Sequence, residues 1–415
     1  MNRISLSDII SQLSIALDAV EAELLGATRY HSKRVCVLCL AIGNYMGYDE
    51  EHLFNLAGCA LLHDNALTEY ILSEKPGESQ ALNIRSHCII GQNNCGYFPF
   101  PGTIEGFVLY HHEYADGSGA FGKKYGEYPE EAGIIALADQ IDVKYPMQKL
   151  NASGLEKVRQ FIRAGTGRRF DPAAAEAALA VLDQAFLDRV SDENVSETIR
   201  SGLPDVVRRI SNQDIVSLSG IIARIIDYKS EFTQEHSIQI ANKAWYMGGI
   251  YHYPEELRAD IYLAAAFHDI GKLFIPGAIL EKPGRLTDEE FEIIKSHAQY
   301  TWNILKVVRG FEEIAVWASD HHEKLDGTGY PFGKTGSRLD FNSRLLACLD
   351  IYQAVREKRP YHPVRSHKET MKILYDMAGR GLVDEGITRD LDEALAKLPD
   401  GCAAAPDTMN RNIMN

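Results

Sequence analysis

Histidines and aspartates recur in this chain in one order, twice. The second run is His236, His268-Asp269, His297, His321-His322 and Asp350, with gaps of 32, 29, 24 and 28 residues. The first is His31, His63-Asp64, His87, His111-His112 and Asp139, with gaps of 32, 24, 24 and 27. Imidazole and carboxylate donors without thiolate suit Fe, Mn, Zn or Ni better than Cu(I) or Mg. Each run can serve a pair of ions if one aspartate bridges them. Two divalent ions set against two aspartates and a bridging hydroxide leave a charge of about +1. That attracts a phosphate oxygen, and the ions lower the pKa of the bridging water. Such a centre would bind a phosphate oxygen and supply a nucleophilic water at neutral pH. Any one of these histidines alone is more often a packing or surface residue. The ordered set, repeated at matching gaps, is what points to metal. His252 and His362 fall outside the series and are assigned to surface or loop.

The two runs differ where a reaction would be done. The second reads His-Asp-Ile-Gly-Lys over 268–272; the first reads His-Asp-Asn-Ala-Leu over 63–67. Lys272 therefore maps onto Leu67, which has no charge to offer a phosphate. Gly329-Tyr330-Pro331 maps onto Gly119-Ala120-Phe121. Gly117 and Gly119 survive, so the backbone of that loop is expected to persist. Coordination is written twice and reactivity once.

The elements that carry these residues have a helical period. Apolar residues recur at helical spacing over 33–47, 53–67, 173–189, 236–248, 257–273, 288–309, 312–320 and 340–357. Strand-like alternation is rare, so the fold class is all-α. On a helix through 257–273, His268, Asp269 and Lys272 point into one cavity. Thr287-Asp-Glu-Glu290 is a capping-box signature for the next helix. Residues 191–214 are polar, with Gly202 and Pro204, and read as a linker between a domain over 1–190 and one over 215–400. Residues 401–415 read as a tail.

Composition narrows the partners. The chain has 415 residues, 45% of them apolar, enough for two cores. Its net charge of −15 and the lack of any Lys/Arg run argue against a nucleic-acid polymer as partner. Seven cysteines, scattered through apolar stretches, suit a reducing cytoplasm. Cys36 and Cys39 read as buried thiols on a helix rather than a zinc site. Met1 to Leu25 reads as an amphipathic helix, and no apolar run is long enough to span a membrane.

The motifs His-Asp-Ile-Gly-Lys, His-His-Glu-Lys-Leu-Asp-Gly-Thr-Gly-Tyr-Pro (321–331) and Lys-Arg-Pro-Tyr (358–361) carry a resemblance to a known family. Residues 215–400 resemble an HD-GYP domain, the bacterial branch of the HD superfamily of metal-dependent phosphohydrolases. The resemblance implies an all-helical domain with a two- or three-metal centre; Fe or Mn is expected here, with other transition metals left open. It implies a phosphodiesterase for a cyclic dinucleotide, cyclic di-GMP or 3′,3′-cyclic GMP-AMP. A bridging hydroxide would attack in line to give a linear dinucleotide, with further cleavage to mononucleotides left open. The implied metal ligands are His236, His268, Asp269, His297, His321, His322 and Asp350, with Asp269 as bridge. Lys272 would meet the scissile phosphate, Tyr330 would line the pocket and Arg359 would pair with the second phosphate.

Two departures matter. Three-metal members carry a Glu four residues before the first ligand His, where this chain has Phe232; Glu231 and Glu235 are off register. Two metals are therefore expected. After Asp350 the chain reads Ile-Tyr-Gln-Ala-Val, where the family usually has a second Asp, so the support around the ligands should differ. Residues 1–190 resemble the same domain in degenerate form, expected to be non-catalytic and to regulate or merely support its twin. The two halves are expected to pack together, and a homodimer is left open. Two other functions compete: a mononucleotide phosphohydrolase, which would leave Gly-Tyr-Pro unexplained, and a non-enzymatic sensor, which would leave Lys272 unexplained.

Overall fold

The computed structural model describes residues 3–25, 29–66, 80–227, 236–357 and 365–398. These residues are overwhelmingly helical, and the all-α expectation is met. Two three-residue strands, β1 (Arg3–Ser5) and β2 (Val207–Arg209), pair in one small sheet. The chain divides into two compact units, one of residues 5–207 and one of residues 208 onward together with Arg3 and Ile4. No helix among the described residues is long and apolar enough to cross a membrane.

The first unit is built around α2 (His31–Tyr45), which packs on α3 (Glu50–Leu61), α5 (Glu130–Lys144), α7 (Pro172–Val181) and α9 (Val195–Gly202). Its run from Val35 to Leu40 is buried on all sides, as a central helix requires. Cys36 and Cys39 lie in that run, and burial pushes both thiols up, so they stay protonated. α1 (Leu6–Leu25) and α4 (Gln80–Cys95) belong to the same unit, with α6 (Ala152–Gly165) and α8 (Gln184–Arg189).

The second unit begins with α10 (Asn212–Asp227). It centres on α11 (His236–Ile250) against α12 (Glu255–Phe267), with α14 (Asp288–Leu305), α15 (Glu312–Ser319) and α16 (Phe341–Arg356) completing the site. A single turn, α13 (Gly277–Leu280), precedes α14. The capping box is present: Thr287 Oγ1 accepts from Glu290 N at 3.2 Å, and Glu290 Oε2 accepts from Thr287 N at 2.8 Å.

Three boundaries differ from the sequence reading. Residues 191–214 are not a linker. Val195, Ile199 and Leu203 recur every fourth residue and are buried, so an apolar stripe folds α9 onto α2 within the first unit. The helix expected over 173–189 is broken, and Asp183 caps the second piece by accepting from Phe186 N at 2.7 Å. The helix expected over 257–273 stops at Phe267, and a tighter 3-10 turn runs over Ile270–Phe274.

That last difference has a packing cause. Thr301 Oγ1 donates to the His268 carbonyl at 2.9 Å and accepts from Gly271 N at 3.1 Å. The α-helical bonds are therefore replaced by bonds across to α14, and Lys272 N closes back on Asp269 O at 2.9 Å. The crossing needs glycine, since a Cβ on Gly271 would lie 1.9 Å from the His297 carbonyl oxygen. The first unit makes the corresponding junction from the other side, with Asn65 Nδ2 donating to Gly91 O at 3.0 Å. Gly271→Ala should destabilise the protein by about 1–3 kcal/mol and lower metal loading. A chemical-denaturation midpoint equal to wild type would contradict this account of the crossing.

Candidate metal centre

In the second unit, the ligand set of the sequence reading comes together at one place. His236 starts α11, His268 and Asp269 follow α12, His297 is on α14, His321 and His322 follow α15, and Asp350 is on α16. Their ligand atoms form groups within 4.8 Å that could hold a metal ion: His236 with His268 and Asp350, and His297 with His321 and His322. Asp269 reaches both groups. Its Oδ2 lies 3.1 Å from His268 Nε2, and its Oδ1 lies 3.5 Å from His297 Nε2 and 3.9 Å from His321 Nε2.

The backbone fixes which nitrogen each ring presents. The Nδ1 atoms of His268, His297 and His321 sit 2.7, 2.6 and 2.6 Å from the carbonyls of Ala265, Ile294 and Ala318. Each neutral ring therefore carries its proton on Nδ1 and points a bare Nε2 inward. His297 Nε2 and His321 Nε2 face one another at 3.1 Å. Two lone pairs at that distance repel unless a cation lies between them. His268 Nε2 and Asp269 Oδ1 are buried without a hydrogen-bond partner. Orphaned acceptors of this kind fit a divalent ion.

Electrostatics prepare the same groups. Burial would raise the Asp269 carboxyl, yet His268 and Lys272 hold it well below the usual carboxylate range. Asp350 is likewise held down against its burial, by His236 and His322. Burial lowers His297 to about 3 despite Asp269, with His322 and Lys272 adding to the fall. Burial and the neighbouring His322 also keep His321 well below its ordinary value. These rings are neutral at pH 7 and ready to coordinate. His236 goes the other way: burial would lower it, but bonds to Asp350 and Glu357 raise it to about 9.

Lys272 and Tyr330 sit beside the cluster. Lys272 Nζ lies 2.6 Å from Asp269 Oδ2, with 23% of its side chain exposed. The convergence expected from a helix is thus achieved by the 3-10 turn. The Tyr330 ring lies 4.8 Å from that of His322 and 6.2 Å from that of His297. Its loop is tied down by buried Glu323, which accepts from Phe332 N at 2.7 Å and Lys334 N at 2.9 Å. Gly329 passes so close that a Cβ there would meet Glu323 Cα at 2.5 Å. Arg359, His362, Glu231, Phe232, Glu235 and Leu67 lie outside the described residues. His252 is exposed in a turn, as expected.

One supporting residue escaped the sequence reading. His236 Nδ1 lies 2.6 Å from Glu357 Oε1. Gln353 Nε2 donates to that same oxygen at 2.9 Å, and Lys243 Nζ donates to Gln353 Oε1 at 2.8 Å. In the first unit, the equivalent His31 Nδ1 lies 2.8 Å from Asp142. Asp142 stands three residues after Asp139, as Gln353 does after Asp350. Where the second unit has lost the carboxylate at that place, Glu357 supplies one a turn further along. The signal was there in principle, since residues four apart share a helix face.

The first unit repeats the geometry. Asp64 Oδ2 lies 3.4 Å from His63 Nε2, and Oδ1 lies 3.1 Å from His87 Nε2 and 3.9 Å from His111 Nε2. Asp139 Oδ1 lies 3.3 Å from His31 Nε2. Two groups that could hold an ion emerge, His31 with His63 and Asp64, and His87 with His111 and His112. The loop also persists: Glu113 accepts from Phe121 N and Lys123 N, and a Cβ on Gly119 would meet Glu113 Cα at 2.5 Å.

Family models described as HD domain match residues 28–144 and 220–387, one in each unit. The chain carries two HD domains, and the second holds the His-Asp-Ile-Gly-Lys and Gly-Tyr-Pro motifs. It is 28% identical to 3′3′-cGAMP-specific phosphodiesterase 1 of Vibrio cholerae, covering 90% of this chain and 88% of that protein. It is 30% identical to a cyclic di-GMP phosphodiesterase of Pseudomonas aeruginosa, covering 48% of each. A crystal structure of a cyclic GMP-AMP-specific phosphodiesterase of V. cholerae has the same fold, with a TM-score of 0.65 at 23% identity. That match covers 96% of this chain and 99% of the other.

The surroundings of the second domain's centre can be tested in two ways. Glu357→Ala should weaken metal binding about 10–100-fold, and adding Gln353→Asp should recover most of the loss. Unchanged affinity in the single variant would show that the His236–Glu357 pairing does no work. A ring with a pKa of about 9 is protonated at pH 7, whereas a metal takes neutral imidazole. Metal loading at pH 7 should therefore expel about one proton from His236. Titration heats independent of the buffer's ionisation enthalpy would contradict that.

Proposed function

We propose that the second HD domain hydrolyses a cyclic dinucleotide, 3′,3′-cyclic GMP-AMP in preference to cyclic di-GMP, to the linear dinucleotide. The observation that carries the chemistry is the convergence of bare ring nitrogens on Asp269 beneath the Lys272 ammonium. Two divalent transition-metal ions, Fe or Mn among those the donor set suits, would fit there and lower the pKa of a water. His236, His268 and Asp350 would hold one ion, and His297, His321 and His322 the other, with Asp269 shared.

The remaining work belongs to the chain itself. Lys272 would meet the negative charge that grows on the scissile phosphate. Its ammonium lies 2.6 Å from Asp269 Oδ2, which orients it toward the place a phosphate would occupy. Tyr330 packs beside His322 and offers a wall for a base or sugar. Arg359, in the Arg-Pro-Tyr segment, is proposed for the second phosphate on the sequence motif alone. The base preference rests on span. Relatives named 3′3′-cGAMP-specific phosphodiesterase 1 and 3 align over 90% and 79% of this chain, so over both HD domains, while phosphodiesterase 2 aligns over 49%. Cyclic di-GMP phosphodiesterases of P. aeruginosa and Xanthomonas campestris align over 48% and 38%.

The test is a side-by-side assay of both cyclic dinucleotides with Mn or Fe, reading the linear product by chromatography. Wild type should turn over 3′,3′-cyclic GMP-AMP faster. Asp269→Ala should abolish turnover, and Lys272→Ala should lower kcat by about 10²–10³. Failure to cleave either compound across a range of metals would leave the domain a sensor rather than an enzyme.

A further inference from the structure

We propose that the first HD domain is a metal-loaded receptor for a phosphodiester. It holds its own divalent ions on the His63–Asp64 series and binds a cyclic dinucleotide through them without cleaving it. Metal binding here needs no turnover in the second domain; only the choice of nucleotide rests on the function proposed above.

The rings point to metal. His63 Nδ1 lies 2.8 Å from Ala60 O and His111 Nδ1 lies 2.5 Å from Val108 O. Both rings therefore aim a bare Nε2 inward. Those two atoms and His87 Nε2 are buried without a hydrogen bond, although His87 Nε2 lies 3.1 Å from Asp64 Oδ1. All three residues are more than nine-tenths buried. A degenerate core that no longer met a ligand would be expected to pair or replace such atoms, because each costs about 1–3 kcal/mol left unsatisfied. His31 is also fully supported from behind. Its Nδ1 is held by Asp142, which the completely buried Arg34 grips through Nε and Nη2 at 2.9 Å each.

The space beside His112 points to the ligand. A cavity of about 380 Å³ opens beside His112, with Arg85, Tyr114 and Ser118 in its wall. That is within the range of about 300–1,000 Å³ usual for small-ligand sites. Ala120 lies in this wall at the position that Tyr330 takes in the other domain. Arg85 is anchored there: its Nε donates to Ala120 O at 2.5 Å, and its guanidinium lies 5.8 Å from the Phe121 ring. A guanidinium beside a metal pair is a matched seat for a phosphate. The domain has Leu67 at the sequence position of Lys272. Loss of one such cation slows a reaction by about 10²–10³, so binding outlasts chemistry.

The test uses the full chain with the second centre silenced by Asp269→Ala. Metal analysis should find ions still bound, and Asp64→Ala in that background should lower the count by about two per chain. Calorimetry with 3′,3′-cyclic GMP-AMP should show a binding event that Arg85→Glu weakens about tenfold or more while the metal count stays the same. Asp64→Ala removes a buried charge and can unfold the domain, so circular dichroism is recorded, and the surface variant Arg85→Glu decides the question of ligand binding. A metal-free Asp269→Ala protein overturns the proposal. So does nucleotide binding indifferent to Arg85→Glu, and so does linear product formed by Asp269→Ala at a rate near wild type, which would make this a second catalytic centre. Metal retained here alongside an inactive wild type would sink the proposed phosphodiesterase and leave this proposal standing.

Discussion

The structure turns on a small hydrogen bond made several times. A buried histidine gives its Nδ1 proton to the carbonyl three residues earlier, within the same helix end. His268, His297 and His321 do this in the second domain, and His63 and His111 in the first. The bond fixes both tautomer and ring direction, so no rotamer freedom is left to avoid the centre. Once the rings are so held, Nε2 lone pairs must converge. The helices around them act as a clamp that keeps those lone pairs together. Gly271 and Thr301 are part of it, because they bring the His268 turn against α14 closely enough for His297 to reach.

The outer carboxylate shows how this constraint is met in two ways. The first domain uses Asp142, rigidly gripped by buried Arg34. The second uses Glu357 from beyond the helix end, with Gln353 and Lys243 behind it. An amide at 353 cannot supply the negative charge that raises His236, so a carboxylate had to come from elsewhere. Glu357 lies at the C-terminal end of α16, where the chain leaves the helix. The orientation of His236 is therefore tied to the segment that carries Arg359 in sequence, whereas His31 is held from within its own helix bundle by Asp142.

Much of this was legible in the sequence because ligand chemistry is discrete. Only a few residue types bind metal, and their order and gaps survive folding. The helical period gave the fold class for a similar reason. The sequence was misleading where a local pattern was settled by a distant partner. The helix through 257–273 looked continuous, but the Thr301 hydroxyl takes the His268 carbonyl and ends it. Residues 191–214 looked like a linker because most are polar, yet three apolar residues at helical spacing were enough to fold α9 onto α2. Glu357 shares a helix face with Gln353, but its meaning comes from a histidine 121 residues away, which no local pattern names.

The retained ligand series in the first domain has two possible origins, and energetics separates them. Removing one buried member leaves others exposed to an unsatisfied cost, so a cluster could persist simply because no single step out of it is easy. That inertia protects a cluster only if its members satisfy one another. Here they do not: His63, His87 and His111 present ring nitrogens that make no hydrogen bond. The loop around them kept its framework, with Glu113 and Gly119 matching Glu323 and Gly329. What differs at the matching sequence positions is Leu67 for Lys272 and Ala120 for Tyr330. A relic drifts first where its groups are costly. This domain has changed where it would react and has stayed fixed where it would coordinate, which is the pattern of a site that still takes an ion.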